Sequence, residues 1–389
     1  LIENFKNTFM TIKYLSVTIL PLLFLINGCT NNQSDKTKTT LNENGTEIIS
    51  NPEYGALQEQ ENPIEFELVS EFTFKETDDL LVGSIGNVNT DNDGNIYFYD
   101  FRFSRIISLD ENGNVRWETG QEGKGPGDFM RVRGMVLHDD MLYVSNQSGS
   151  RLDRFNLKGE YLGSSDYPLV IDGSSILGIS EDRLLILSQS AVGIVGTKIH
   201  IVEFDGSSFT PINSFIIDQS GGKEIPENVG MSVGVEYQDE QIISGSAGEE
   251  YVVDFYSLDG KIIRSIQRDF DKLSGIGSAN GTTLTFSSIQ FEYKLSSGHF
   301  LTLVRWSDGV TDADQEVKNR SNESYVYPEP KYSLDLFKES GELLYSIEGD
   351  GRSFNLGYPV HTDQNGLVYY MTTSPTLSLK KYRVIINED

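Results

Sequence analysis

The chain is 389 residues long and carries 31 Lys and Arg against 58 Asp and Glu, a formal charge of −27. A surface this acidic repels phosphate backbones, which excludes nucleic acid as a partner, and it repels anionic lipid headgroups as well. A single cysteine rules out a disulfide within the chain, so the 38% apolar and 11% aromatic content must supply the stabilising core.

In chain order, Lys13 precedes an apolar run, Tyr14–Ile26, that Pro21 interrupts and Asn27-Gly28-Cys29 follows. A charged start, a short apolar stretch and a small residue before a cut describe an export signal. The run falls short of the about 20 residues that a bilayer-spanning helix needs. Leu25-Ile26-Asn27-Gly28-Cys29 resembles a lipobox. That resemblance implies cleavage ahead of Cys29 and lipidation of this cysteine, the only one in the chain. Residues 1–28 are therefore read as a lipoprotein signal peptide, with Met10 as a compact start and 1–9 as an upstream extension. The expected location is the cell envelope, at the outer membrane on either its periplasmic or its surface side, with the lipid as the only membrane contact. Residues 29–62 are polar and hold too little apolar surface to offset ordering entropy. They read as a flexible tether, with a short ordered stretch near Tyr54–Leu57.

From Ile64 onward, aromatic and β-branched runs alternate with glycine-bearing turns, which is strand and hairpin composition. Turns of one series end at Gly113, Gly159, Gly206, Gly260 and Gly341. Their first spacings suit a repeat of roughly 40–50 residues, the length of a four-stranded propeller blade. A second series sits upstream of the first, at Asp91–Asn95, His138–Asp140, Ser180–Asp182, Gln238–Glu240, Ser296–Gly298 and Asp363–Gly366, each followed by an apolar strand. Six such turns count six units. The last unit has only three strands of its own, and Ile64–Lys75 alternates without a partner. The expected fold is thus all-β: a six-bladed β-propeller of four-stranded blades over residues 63–389, closed by an N-terminal strand pairing into the last blade. Closure of this kind limits exposed sheet edges.

The segment Gly123-Lys124-Gly125-Pro126-Gly127-Asp128-Phe129, after the blade core Asp91 to Asp100, resembles the G-x-G-P-G-[DE]-F mark of bacterial six-bladed β-propeller lipoproteins, which are NHL-like. The resemblance implies this fold and compartment and says little about activity.

Tight turns a–b and c–d project from one propeller face, and b–c and d–a loops from the other. The long segments, Thr119–Phe129, Gln219–Met231, Phe270–Thr282, Trp306–Pro330 and Gly349–Tyr358, all fall on the second face. Function concentrates on loops held by a rigid scaffold, so this loop face is the expected binding face. The sequence offers Arg102, Arg131 and Trp306 there as candidate ligand contacts, each weighed against a solvated arginine or a packed indole. The ligand is read as a glycan, a peptide or a partner protein, and the ring itself as monomeric. The glycine-rich segment precedes no helix and lacks the Gly-Lys-Ser/Thr of a phosphate loop; it reads as an inter-blade crossing with Phe129 packed between blades. Asp91–Asn95 reads as a polar turn, since the position where a calcium loop has its closing Glu is Arg102. His138, His200, His299 and His361 are scattered, no G-x-S-x-G elbow is present, and no metal ligand set or cofactor is assigned. A divalent cation at the channel mouth has no motif behind it. Catalytic residues are left unassigned. The alternatives to a binding protein are a metal-dependent hydrolase or lyase of the lactonase type and a structural part of an envelope complex.

Overall fold

The computed structural model describes residues 36–75, 80–146, 151–166, 175–181, 183–189, 196–205, 208–221, 223, 234–320, 324–350, 354 and 356–388. Cys29 and the apolar run before it, read as a signal peptide, lie outside the described residues.

The protein is an all-β, six-bladed β-propeller. Each of the first five blades is an antiparallel meander. Blade one runs Ile85–Thr90, Ile96–Asp100, Arg105–Leu109 and Val115–Thr119; blade two runs Gly134–His138, Met141–Asn146, Arg151–Asn156 and Tyr161–Asp166. Blade three runs Ser175–Ser180, Arg183–Gln189, Gly196–Phe204 and Phe209–Asp218. Blade four runs Val235–Gln238, Gln241–Gly245, Tyr251–Tyr256 and Ile262–Arg268. Blade five runs Ser288–Lys294, Phe300–Ser307, Pro330–Phe337 and Leu343–Gly349. Blade six has Tyr358–Thr362, Val368–Thr372 and Ser378–Ile386, and its outer strand is Ile64–Thr73, which pairs antiparallel with Ser378–Ile386 from Ser378 opposite Thr73 to Ile386 opposite Ile64. The ring therefore closes with its two ends hydrogen-bonded together, as the unpartnered run at Ile64 requires.

Burial explains the strand sequences. Ile96–Asp100, second from the channel, is buried at every position because neighbouring blades cover both of its faces. The outer strands alternate with solvent, as in Val115–Thr119. The core is divided among the seams. Between blades one and two, Phe129 is fully buried, with Tyr99 at 5.4 Å and Phe155 at 5.6 Å between ring centroids. Gly120, at φ +94, lies flat against the Phe129 ring, where a Cβ would clash. The glycine-rich crossing thus seats an aromatic wedge.

Two expectations need correction. The tether assigned to residues 29–62 and the domain start at 63 do not hold from Lys38 onward. Lys38–Leu41 and Glu47–Asn51 form a hairpin, and Glu47–Asn51 pairs in parallel with Ile262–Arg268, making blade four a six-stranded sheet. Asn51 keys this strap into the next seam: its Nδ2 donates to the Gly341 carbonyl at 2.9 Å and the Gln267 carbonyl at 3.1 Å, and its Oδ1 accepts from the Leu343 amide at 2.8 Å. Ala56 and Leu57 then donate to the Leu343 and Leu344 carbonyls, and the Leu57 side chain is buried between blades five and six. The strap is ordered by borrowed hydrogen bonds, so its low apolar content misleads. Two of the long loops carry ordered elements of their own. The blade four to five crossing contains a small hairpin, Ile276–Ala279 with Thr282–Thr285, and the long blade-five loop contains a helix, Ala313–Asn319. Asp312 caps that helix by accepting from the Gln315 amide at 2.9 Å.

Candidate functional site

The three candidate contacts occupy different places. Arg102 lies exposed in the b–c loop of blade one, its aliphatic stem over Gly83 and its guanidinium 5.9 Å from the Phe103 ring centre. Arg131 is also exposed, but it precedes the inner strand instead of opening it, with φ at 55°. Trp306 is 5% exposed and belongs to the core of the seam between blades four and five. These residues come from the first two blades on one side and the fifth on the other, and no contact joins Arg102 or Arg131 to Trp306 among the described residues.

Trp306 nonetheless lines a loop-face cavity of about 590 Å³. The d–a crossing after blade four supplies Asp271 and Lys272, and the b–c loop of blade five supplies Ser307, Asp308 and Thr311. Lys331, Glu348 and Asp350 come from the ends of the two outer strands of blade five. The cavity exists because the b–c loop is long: its helix and the crossing hairpin pack on each other around Phe286, Ala313 and Val317, which holds the loop away from the strand ends. Ser278 donates its amide to Asp314 at 2.8 Å, and Lys223 reaches the same carboxylate at 3.1 Å, so three loops are tied together.

The floor is aromatic. Phe270 meets Trp306 edge to face, at 5.4 Å and 80°. The Lys272 ammonium lies 5.2 Å from the Phe270 ring centre and 5.5 Å from that of Trp306, a cation–π arrangement over both. Two ion pairs cross the walls, Lys272 with Glu348 and Lys331 with Asp350. Asp350 hydrogen-bonds to Lys331 and holds its ammonium above the ordinary lysine range. Asp271 and Asp308 are additional carboxylates on the lining, so the acids outnumber the lysines. An arrangement of this type can accept and donate several hydrogen bonds to a polar ligand while an aromatic edge sets its orientation. Sequence reasoning reached the loops and Trp306 but missed the lysines and carboxylates. They are spread from residue 271 to residue 350, and only blade packing brings them together.

The histidines stand elsewhere. His200 is buried beside Ser188 at 3.1 Å, His138 lies 3.4 Å from Asp139, and His299 lies 3.1 Å from Glu388. His361 faces Thr90 at 2.8 Å across the blade six to one seam, and burial pushes its pKa down to about 4. Among the described residues no group of three or more His, Cys, Asp or Glu is disposed to hold a metal ion. Asp91 accepts from the amides of Asp93 and Asn95 at 3.0 and 2.9 Å, the self-contained geometry of a capped turn.

Fold and site together define a closed six-bladed β-propeller with a polar, aromatic-floored cavity on its loop face. Residues 36–191 match the model of the DUF5128 family, described as a 6-bladed beta-propeller. No curated protein matches the chain. Among solved structures, a member of the DUF4221 family from Bacteroides vulgatus superposes with a TM-score of 0.58 at 11% identity, over 84% of this chain and 100% of that one. A presumed exported protein of Bacteroides fragilis superposes with a TM-score of 0.52 at 10% identity, over 87% and 99%. At these identities the likeness is one of fold.

Proposed function

We propose that this protein is an exported, lipid-anchored binding module of the cell envelope that holds a polar ligand, a glycan or peptide segment, in the loop-face cavity between blades four and five. The cavity itself carries the reading: an aromatic floor, two lysine–carboxylate pairs and two further carboxylates around about 590 Å³. Mixed charges of this type favour neutral or basic ligands on so acidic a chain. Export and anchoring rest on the apolar run before Cys29 and on the lipobox resemblance. Binding is preferred over metal-dependent hydrolysis because the cavity brings together hydrogen-bonding groups and an indole edge, whereas the histidines are dispersed around the ring.

The test is binding of a glycan array and a tripeptide library to the intact chain, compared with Lys331→Ala and Asp308→Asn. Both side chains lie on the cavity wall away from the core, so unfolding midpoints should be unchanged. A ligand whose affinity falls at least about tenfold in both variants, about 1.4 kcal/mol each, places binding in this cavity. If every ligand found binds both variants as tightly as the parent chain, the proposal fails.

A further inference from the structure

Exposed apolar side chains are sorted by type and by place. Nine of the exposed aliphatics, such as Leu68, Leu162 and Ile216, lie on the outer strands or the strap. The exposed aromatics among the described residues are Tyr54, Phe101, Phe103, Tyr327 and Tyr358. Phe101 and Phe103 belong to the b–c loop of blade one, Tyr327 to that of blade five, and Tyr358 to the loop-face end of the blade-six inner strand. Tyr54 stands where the strap leaves Asn51, close enough to the cavity residues Lys272 and Glu348 to feel their charges. Two more exposed apolar residues, Leu81 and Val326 at 84%, share the loop face. The tight-turn face has no exposed aromatic among the described residues.

The chain enters the body on the same side. Thr37 donates to Asn51 at 2.9 Å, and the Asn51 carbonyl accepts from Asp269, whose neighbours Phe270, Asp271 and Lys272 form the cavity floor and wall. Cys29 lies seven positions before Lys36, a reach of at most about 25 Å. On the lipid-anchor reading, a lipid on Cys29 keeps the body within that reach of the bilayer surface.

We infer that the loop face docks on a zwitterionic lipid surface, with Phe101, Phe103, Tyr327 and Tyr358 at headgroup level. This rests on the lipid-anchor reading above and replaces its expectation that the lipid is the only membrane contact. Aromatic rings with polar neighbours favour the membrane interface. Two of these rings carry an arginine that can meet a headgroup phosphate: Arg102 at 5.9 Å from the Phe103 ring and Arg320 at 4.5 Å from the Tyr327 ring. The formal charge of −27 excludes an anionic surface as the attracting one. The cavity lies among outer strand ends, so it opens at the rim of the docked face, and its ligand is drawn from the layer beside the membrane.

The experiment uses the full lipidated chain in phosphatidylcholine–phosphatidylethanolamine vesicles that contain a headgroup quencher. With Cys29 blocked by lipid, a single fluorophore can be placed through Tyr327→Cys or Tyr358→Cys on the loop face, and through Asn112→Cys or Asn365→Cys on the turn face. A strand length of about 17–20 Å separates the faces, so loop-face labels should be quenched at least about threefold more. Adding Phe101→Ser and Phe103→Ser to the Tyr358→Cys chain should reduce its quenching. Equal quenching of the two faces, or none lost with the serine variants, overturns the docking. Absence of lipid on Cys29, read by mass spectrometry of the intact membrane-extracted chain, would instead overturn the anchor reading, so the two failures are distinguishable.

Discussion

Arg268 of blade four and Asp335 of blade five form an ion pair at 2.8 Å with side chains 1% and 0% exposed. Asp335 also accepts from the Tyr251 hydroxyl at 2.9 Å, and Arg268 donates to the Glu53 carbonyl at 3.0 Å. One buried pair thus ties two blades and the N-terminal strap together, directly beneath the aromatic floor of the cavity.

Arg268→Leu leaves a carboxylate buried without its cation, a loss of about 3–5 kcal/mol. Arg268→Leu with Asp335→Leu removes both charges and should cost less than the sum of the two single changes. Denaturant unfolding of the three variants checks this. A single variant within about 1 kcal/mol of the parent would show that the pair is not a keystone.

Asn51→Ala strips the strap of two carbonyl contacts and leaves the Leu343 amide unsatisfied in the seam. The expected cost is about 2 kcal/mol or more, given about 1–3 kcal/mol for each buried group left without a partner. Limited proteolysis should cut residues 42–62 faster in the variant. Equal cutting rates would mean that the strap is held by other contacts.

Deleting residues 64–73 bares Ser378–Ile386 as a sheet edge. Unpaired edges recruit other chains. Size-exclusion chromatography should show multimers or aggregate, whereas a stable monomer would contradict closure by this strand.

His361 predicts a pH dependence. Burial pushes its pKa down from 6.5 to about 4, and the smaller effects of Asp363, raising, and Lys381, lowering, oppose each other. The folded protein holds this ring neutral while the unfolded chain protonates it near 6.5. Its contribution to stability is therefore complete above that pH and is lost as pH falls toward about 4. His361→Gln keeps a polar side chain opposite Thr90 without the proton. Thermal unfolding of the variant should depend less on pH between about 4 and 6.5; superimposable profiles would remove His361 from the account.

Trp306 shows how far a sequence reading of the site can go. Its place in a long loop-face segment is legible, yet its 5% exposure makes it core first and cavity lining second. Trp306→Ala should destabilise the fold by about 3–5 kcal/mol, which is why Lys331 and Asp308 are the cleaner probes of binding. Equilibrium unfolding measures this, and a loss below about 1 kcal/mol would mark the indole as a free surface group instead.

Blade number, strand order within each blade, the two turn series and the closing strand at Ile64 are legible because they depend on local periodicity and turn chemistry, where neighbours in sequence are neighbours in space. The strap was misread for the same reason. Within Lys38–Asn51 only Ile49 adds a large apolar side chain to the core, and the hydrogen-bond partners of Asn51 lie more than 200 residues away on blades four and five. The cavity follows the same rule. Asp271, Trp306, Lys331 and Glu348 meet only because two blades pack side by side and a helix and a hairpin prop one loop open. The amino-acid sequence by itself determined the ring and its repeat, through alternation and glycine turns. Tertiary structure alone decided where the N-terminal segment docks, which charges pair and where a ligand can enter, because those depend on distances between strands that local pattern does not encode.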